Sequence, residues 1–425
     1  MSGSAELIDL TIDSLGAQGD GIAQYQGKPV YVAYALPGER VRARLSPKGG
    51  NAFTGRLQEI VAASPERVVP PCPLFATCGG CALQHLSLPV YHAWKRQQVA
   101  GTLAQRGIDL PAAAEMVTVE AGARRRAVLA AVKDQDRVDF GFHEAMSDRI
   151  VPLDDCLLMT PAMRAGIAGL RRLAQIVLAN KQRADFHVTQ SLVGLDVLVM
   201  TENDLPMARR PQAIEAARAA DLARLSWQHG KRQPEPIVMA RVPQVRFGDI
   251  LVDLPIGSFL QPSAEGEAAL VAAVTRGIGK AKRIADLYAG CGTFTFPLAK
   301  IGRVLAVDAA KPAIAALNAA VNRAQLSGRV EGIARDLDQS PLPPVDLKNI
   351  DAVVFDPPRA GAEMQARMLA KSRVQKVVAV SCNPASFARD ARLLLDGGYA
   401  LKSLTLVDQF PWSAHVELVA VLTRG

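Results

Sequence analysis

The rhythm of hydrophobic and polar positions changes twice along this chain. From residue 5 to about 62 the runs are short and alternating. Glu6-Leu7-Ile8-Asp9-Leu10-Thr11-Ile12 predicts a strand, Gly16, Gly19 and Gly21 a turn, and Lys28–Val32 and Arg40–Leu45 two further strands. In Arg40–Leu45 the arginines alternate with Val41, Ala43 and Leu45, which gives one cationic face and one core face. Short strands separated by Gly and Pro turns predict a small OB-like β-barrel. Ser64–Pro73 is proline-rich and reads as a linker. A mixed stretch follows, with a helical segment over 96–125 and strands at Ala127–Val132, Val138–Phe142, Phe186–Gln190, Leu195–Met200, Ile237–Val242 and Ile250–Leu254. Helices are expected at Pro161–Ala179 and Pro211–Ala220, which makes this an α+β middle domain.

From about residue 258 strand and helix alternate regularly. Arg283–Leu287, Val304–Val307, Ala352–Phe355 and Val377–Val380 read as strands, and Lys311–Gln325 and Ala362–Lys371 as helices. That order predicts a doubly wound, Rossmann-like α/β domain. The expected division is therefore 1–62, 63–257 and 258–425, with part of 88–122 packing on the last domain.

Composition narrows the class. Hydrophobic residues make up 49% and charged residues 21%, which is ordinary for a folded soluble protein. No apolar run is long enough to span a bilayer and Met1-Ser2-Gly3-Ser4 does not open a signal peptide, so a cytoplasmic protein with no membrane partner is expected. Lysine and arginine total 49 against 41 acidic residues, a net of +8, which suits an anionic partner such as nucleic acid and equally a mildly basic surface without one. Arg124-Arg125-Arg126 is a candidate for RNA phosphates.

Cysteine placement adds chemistry. Cys72, Cys78 and Cys81 form a C-x5-C-x2-C array, with Gly79 and Gly80 letting the backbone turn tightly between the last two thiols. With the distant Cys156 they make a four-thiolate set. In a reducing compartment such a set reads as metal or cofactor binding before disulfides; zinc and a [4Fe–4S] cluster both accept it, and spacing does not choose between them.

Cys382 stands apart. It follows the apolar run Val377–Val380 and precedes a segment of helix-forming composition, Ser386–Leu395, with Pro384 at the helix start. Ligands of open α/β sheets collect at the carboxyl ends of strands, so this thiol is a candidate nucleophile, and a helix N-terminus is expected to lower its pKa. In the same domain Asp286-Leu287-Tyr288-Ala289-Gly290-Cys291-Gly292-Thr293-Phe294 follows the first strand. A dinucleotide fingerprint wants a third glycine where Thr295 stands, which argues against a pyrophosphate. Asp308, Asp336 and Asp356 close successive strands, an arrangement suited to S-adenosylmethionine.

These motifs together resemble the RNA uracil-5-methyltransferases, specifically the 23S rRNA branch that carries a TRAM barrel and an iron–sulfur cluster. The resemblance rests on Gly16–Gly21 and Leu36–Glu39, CPLFATCGGCALQHL at 72–86, DLYAGCGTF at 286–294, DPPRAG at 356–361, SCNP at 381–384 and HVELV at 415–419. It implies a class I methyltransferase domain and a [4Fe–4S] cluster on Cys72, Cys78, Cys81 and Cys156. It implies cofactor contacts from Gln261, Tyr288, Thr293, Asp308, Asp336 and Asp356; bacterial relatives usually carry glutamate in place of Asp308 and asparagine in place of Thr293. Cys382 would be the nucleophile that adds to uracil, and Glu417 the base, its carboxyl raised by an apolar setting. Phe259 would stack on the target base, with a core phenylalanine as the equal alternative. The resemblance further implies action on RNA; a monomer is expected. Transfer RNA is the other substrate, and a non-catalytic RNA-binding or redox-sensing iron–sulfur protein is the reading from a different class.

Overall fold

The computed structural model describes residues 7–424; Glu6, which opens the first predicted strand, lies outside the described residues. The chain divides into two compact units. One comprises the residues up to Val99 with His143–Val151 and Phe410–His415; the other comprises Ala100–Phe142, Pro152–Gln409 and the residues from Val416 onward.

The first unit is built on a six-stranded sheet in the order Leu7–Thr11, Arg40–Lys48, Ala52–Ala62, Lys28–Val32, Gly21–Tyr25, Ser14–Leu15. Leu10, Ile12, Ala23, Val30, Val32, Val41 and Ala43 share its core, which is the face the period-2 pattern predicts. The arginines of the opposite face are not all open to a polyanion. Arg42 is bonded to Asp9 and Glu59, both exposed, a pairing worth little in stability. Ser64–Pro73, read as a linker, is pinned at Arg67: Glu39 is wholly buried and accepts from Arg67 Nε and Nη2 and from the backbone of Leu36 and Ser64. A buried carboxylate is tolerated there because four donors replace its water.

In the second unit, six successive strands of one seven-stranded sheet run Arg137–His143, Arg126–Asp134, Arg183–Ser191, Gly194–Thr201, Arg224–His229, Glu235–Met239. Helix Pro161–Val177 lies against it. Thr160 caps that helix by accepting from Met163 N, and Met163, Ile167, Leu170, Ala174 and Val177 form its buried stripe. Strand Arg224–His229 is absent from the expected elements. Its composition is too polar to read as a central strand, and the fold accommodates Arg224 by a bidentate bond to Asp196, directly opposite on the next strand.

The second sheet of this unit has eight strands: Val330–Ala334, Arg303–Asp308, Arg283–Leu287, Ala352–Phe355, Lys376–Ser381, Glu417–Arg424, Tyr399–Asp408, Glu115–Thr118. The first five are parallel and Glu417–Arg424 runs antiparallel between Lys376–Ser381 and Tyr399–Asp408. This is the expected doubly wound α/β architecture. One expectation fails nearby. The helical stretch predicted over 96–125 is a helix only over Leu88–Ala104; Gly107 and Pro111 follow, and Glu115–Thr118 becomes an edge strand paired parallel with Thr405–Asp408.

Candidate active site

Parallel strands that end at one level bring distant residues together. Leu287 pairs with both Val307 and Phe355, so Tyr288, Asp308 and Asp356 leave their strands side by side. Ser381 pairs with Leu418 in the antiparallel register. Cys382, just after one strand, and Glu417, at the start of the next, therefore face each other at that same edge. Residues 35 positions apart in sequence become neighbours because one strand of the sheet is reversed.

The Cys382 loop is held from both sides. Asn383 caps helix Pro384–Asp396, its Oδ1 accepting from Ala385 N at 3.1 Å, while its Nδ2 donates to Arg359 O at 3.0 Å. That second bond ties the SCNP turn to the DPPRAG turn. Gly361 in the latter has φ +82°, and a Cβ there would sit 2.5 Å from Asp390 Oδ2, which accepts from Ala362 N. Only glycine fits that position.

A relay of amides joins the two candidate carboxylates. Gln409 Nε2 donates to Glu417 Oε1 at 3.4 Å and to Gln261 Oε1 at 2.8 Å; Gln261 Nε2 donates to Asp356 Oδ2 at 3.3 Å. Gln261, Gln409 and Glu417 are all buried. Arg125 Nε fixes the backbone of Gln261 by donating to its carbonyl at 3.0 Å while Nη2 meets Glu267 at 2.6 Å. The triple arginine was a candidate for RNA phosphates, and Arg125 is instead committed inside the fold. Arg126 lies 4.8 Å from the ring of Phe259, which is 62% exposed and so is not the core phenylalanine of the alternative reading.

Burial dominates the electrostatics. It pushes Glu417 up to about 8, with Asp356 adding repulsion and Gln409 opposing it, and it pushes Asp356 up to about 7. It also pushes the Cys382 thiol up to about 11, reinforced by Glu417 and Asp356 and opposed by Arg359. The helix N-terminus is where the sequence puts it, yet the expected lowering of the thiol does not occur. Two carboxyl groups delivered by neighbouring strands, together with lost hydration, outweigh the helix end. In the substrate-free protein, alkylation of Cys382 followed by peptide mass analysis is therefore expected to climb with pH toward about 11 and not to level off near neutrality. Glu417→Gln should move that climb to lower pH, because ionised Glu417 is one of the charges opposing the thiolate; superimposable profiles would contradict it.

The glycine loop is bordered by the candidate cofactor residues. Asp308 Oδ2 accepts from Gly290 N at 2.8 Å and Oδ1 from Ala310 N at 2.7 Å, so the carboxylate shapes the loop that it borders. Gly292 has φ +106°, with the Phe296 ring 2.5 Å from where a Cβ would be. Tyr288 donates to Asp338 at 2.9 Å, and Asp336 Oδ1 accepts from the backbone of Asp338 and Gln339. Thr293 lies within this loop, between Gly292 and Phe294. Asp286 and Gln409 were not singled out from the sequence. Asp286 is fully buried, pushed up to about 7 by burial, and accepts from Thr295 Oγ1 behind the loop. A strand-end acid followed by the glycine pair was a legible signal for it; Gln409 carries none.

The cysteine array lies in the first unit and Cys156 in the second. Cys72 N donates to Gln84 Oε1 at 3.1 Å, Cys78 N to Leu74 O at 2.9 Å, and Gly80 N to Cys78 Sγ at 3.4 Å. A backbone N–H aimed at a sulfur suits a thiolate ligand. Gly79 is needed where a Cβ would press on His143 O at 3.0 Å. Among the described residues, no group of three His, Cys, Asp or Glu side chains is placed to hold a single metal ion.

Comparison with known proteins gives the family. A family model described as tRNA (uracil-5-)-methyltransferase matches residues 244–425. An RNA methyltransferase of Caulobacter vibrioides is 42% identical over 98% of this chain and 100% of its own. The 23S rRNA (uracil(1939)-C(5))-methyltransferase RlmD of Shewanella amazonensis is 33% identical over 98% of this chain and 96% of its own. Among solved structures, the Pyrococcus abyssi tRNA (uracil-54, C5)-methyltransferase in complex with S-adenosyl-L-homocysteine superposes with a TM-score of 0.76 at 25% identity, covering 98% of this chain and 100% of that one. With relatives that match along almost their whole length, the chain belongs to the RNA uracil-5-methyltransferase family and is an S-adenosylmethionine-dependent methyltransferase.

Proposed function

We propose that this enzyme methylates carbon 5 of a uridine in 23S rRNA through a covalent bond between Cys382 and carbon 6 of the base. The observation that carries the proposal is the juxtaposition of Cys382 with Glu417 across adjacent antiparallel strands, at the edge where the candidate cofactor residues end. Carbon 5 of uracil is a weak nucleophile. Cys382 gives up its proton to solvent and adds as the thiolate to carbon 6; a C–S bond forms and the ring π-electrons move to carbon 5, next to the carbonyl that stabilises them. S-adenosylmethionine, when bound, supplies the methyl group as an electrophile on a positively charged sulfur. Glu417 then removes the proton from carbon 5. The freed electron pair restores the double bond, the C–S bond breaks, and the thiolate returns. A carboxyl near pKa 8 is well matched to taking that proton at physiological pH.

Gln261, Tyr288, Thr293, Asp308, Asp336 and Asp356 are the residues we assign to the cofactor, whose ribose and adenine suit the carboxylates and loop backbone. The target uridine must leave its stack to reach Cys382, and Phe259 with Arg126 offers a stacking surface beside Gln261. Cys72, Cys78, Cys81 and Cys156 are assigned to a [4Fe–4S] cluster that would staple the chain and take no part in the chemistry. The likeness to an rRNA-modifying relative at 33% identity supports the rRNA assignment; the likeness to a tRNA-modifying structure at 25% identity supports transfer RNA as the second reading.

Release of tritium from RNA labelled at carbon 5 of uridine tests the proposal. Release is expected from 23S rRNA fragments in the presence of S-adenosylmethionine. Release from transfer RNA alone would overturn the substrate, and release from neither would overturn the reaction.

A further inference from the structure

Gln409 and Glu417 stand at the two ends of one strap, Phe410–Val416, which turns the chain between the last two strands. Within the first compact unit, Phe410–His415 of this strap accept bonds from Tyr91, Lys95, Ala82 and Leu83. Lys95, on helix Leu88–Ala104, is 1% exposed. Its Nζ donates to Phe410 O at 3.3 Å and to His415 O at 2.6 Å, the first carbonyl one residue after Gln409 and the second two residues before Glu417. One turn earlier on the same helix, the single Tyr91 O–H is shared between Phe410 O and Ser413 O, each at 3.3 Å from Oη, and the Lys95 ammonium lies 4.8 Å from the Tyr91 ring. The segment just after Cys81 adds two bonds: Ala82 N and Leu83 N both donate to Trp412 O, at 2.9 and 3.1 Å, where Trp412 has φ +58°.

Burying an ammonium is costly, and a methionine would pack in the same space at less cost. A lysine at this position makes sense if its charge is used, and the bonds in view bridge the strap's two ends. We infer that Lys95 is a positioning residue for the general base: by tying Phe410 O to His415 O it fixes the strap and, through the continuous chain, the placement of Gln409 against Glu417. The inference rests on the reading of Glu417 as the base that removes the carbon 5 proton.

Lys95→Met is expected to lower turnover by about 10- to 100-fold, the scale on which an ångström of misplacement acts. KM for S-adenosylmethionine should stay unchanged, and methylated, covalently bound RNA should accumulate because proton removal is the step that slows. Lys95→Arg, which restores donors, should recover part of the rate. Tyr91→Phe, which keeps the ring and removes the hydroxyl from two strap carbonyls, should show the same accumulation with a smaller loss; it decides the matter if Lys95→Met does not fold. Glu417→Gln is measured in parallel. Accumulation in Glu417→Gln with none in a folded Lys95→Met or Tyr91→Phe would overturn the inference about the strap. No accumulation in Glu417→Gln would instead remove the assignment of the base.

Discussion

Replacing Glu417 by glutamine is expected to cut turnover by about 10²- to 10⁴-fold, the usual reach of a general base, while leaving formation of the methylated adduct largely intact. On the proposed mechanism the two steps separate, because the carboxylate is needed only after the methyl group has arrived. Gel-shifted, covalently bound RNA carrying a single methyl should accumulate with ordinary uridine substrate; a variant that turns over freely would not fit. The same substitution should make the fold more stable at alkaline pH. Burial holds the Glu417 carboxyl up at about 8, against 4.5 for the ordinary side chain. Below pH about 4.5 both folded and unfolded chains are protonated there and the residue is neutral in its effect. Between about 4.5 and 8 the unfolded chain ionises and the folded one does not, so stability falls as pH rises, by an amount on the order of a few kcal/mol, and then levels. Glutamine removes that slope. Denaturant melts of both proteins at pH 5 and pH 9 measure it, and equal pH dependence would contradict the buried setting of Glu417.

Cys382→Ala should lose methyl transfer by roughly 10⁴-fold or more, the scale on which removing a covalent nucleophile acts. Binding should survive. The glycine loop, Asp308 and the Gln261–Asp356 pair do not depend on the thiol, and Asn383 still caps its helix and reaches Arg359. Unchanged affinity for S-adenosylhomocysteine and for RNA, with no product, is the expected pattern. Retained methylation would mean that carbon 5 is activated in some other way.

The parts of this site that were legible in sequence are those whose chemistry is local. Val377–Val380 followed by Cys382 and Pro384 announces a strand, a loop and a helix start within eight residues, and the structure has all three. The glycine pair and the strand-end aspartates of the α/β domain were legible for the same reason. What escaped depends on strands meeting from far apart. The pKa of Cys382 cannot be read near residue 382, because the groups that raise it, beyond burial itself, arrive from positions 356 and 417. Gln409 has no motif, and it matters only because a hairpin places it beside Glu417. Arg125 looked like its neighbours Arg124 and Arg126 until Glu267 and the Gln261 carbonyl claimed it. Arg224–His229 was invisible as a strand because its polarity is satisfied across the sheet by Asp196.

On the proposed mechanism Cys382 bonds to the base. RNA containing 5-fluorouridine tests it most directly, since fluorine cannot leave carbon 5 as a cation and Glu417 has no proton to remove. Incubation with S-adenosylmethionine should yield an RNA adduct stable to denaturation, with one added methyl and the modified nucleotide mapped by mass spectrometry to the peptide containing Cys382. No adduct with the wild-type enzyme, or an undiminished one in Cys382→Ala, would contradict the account.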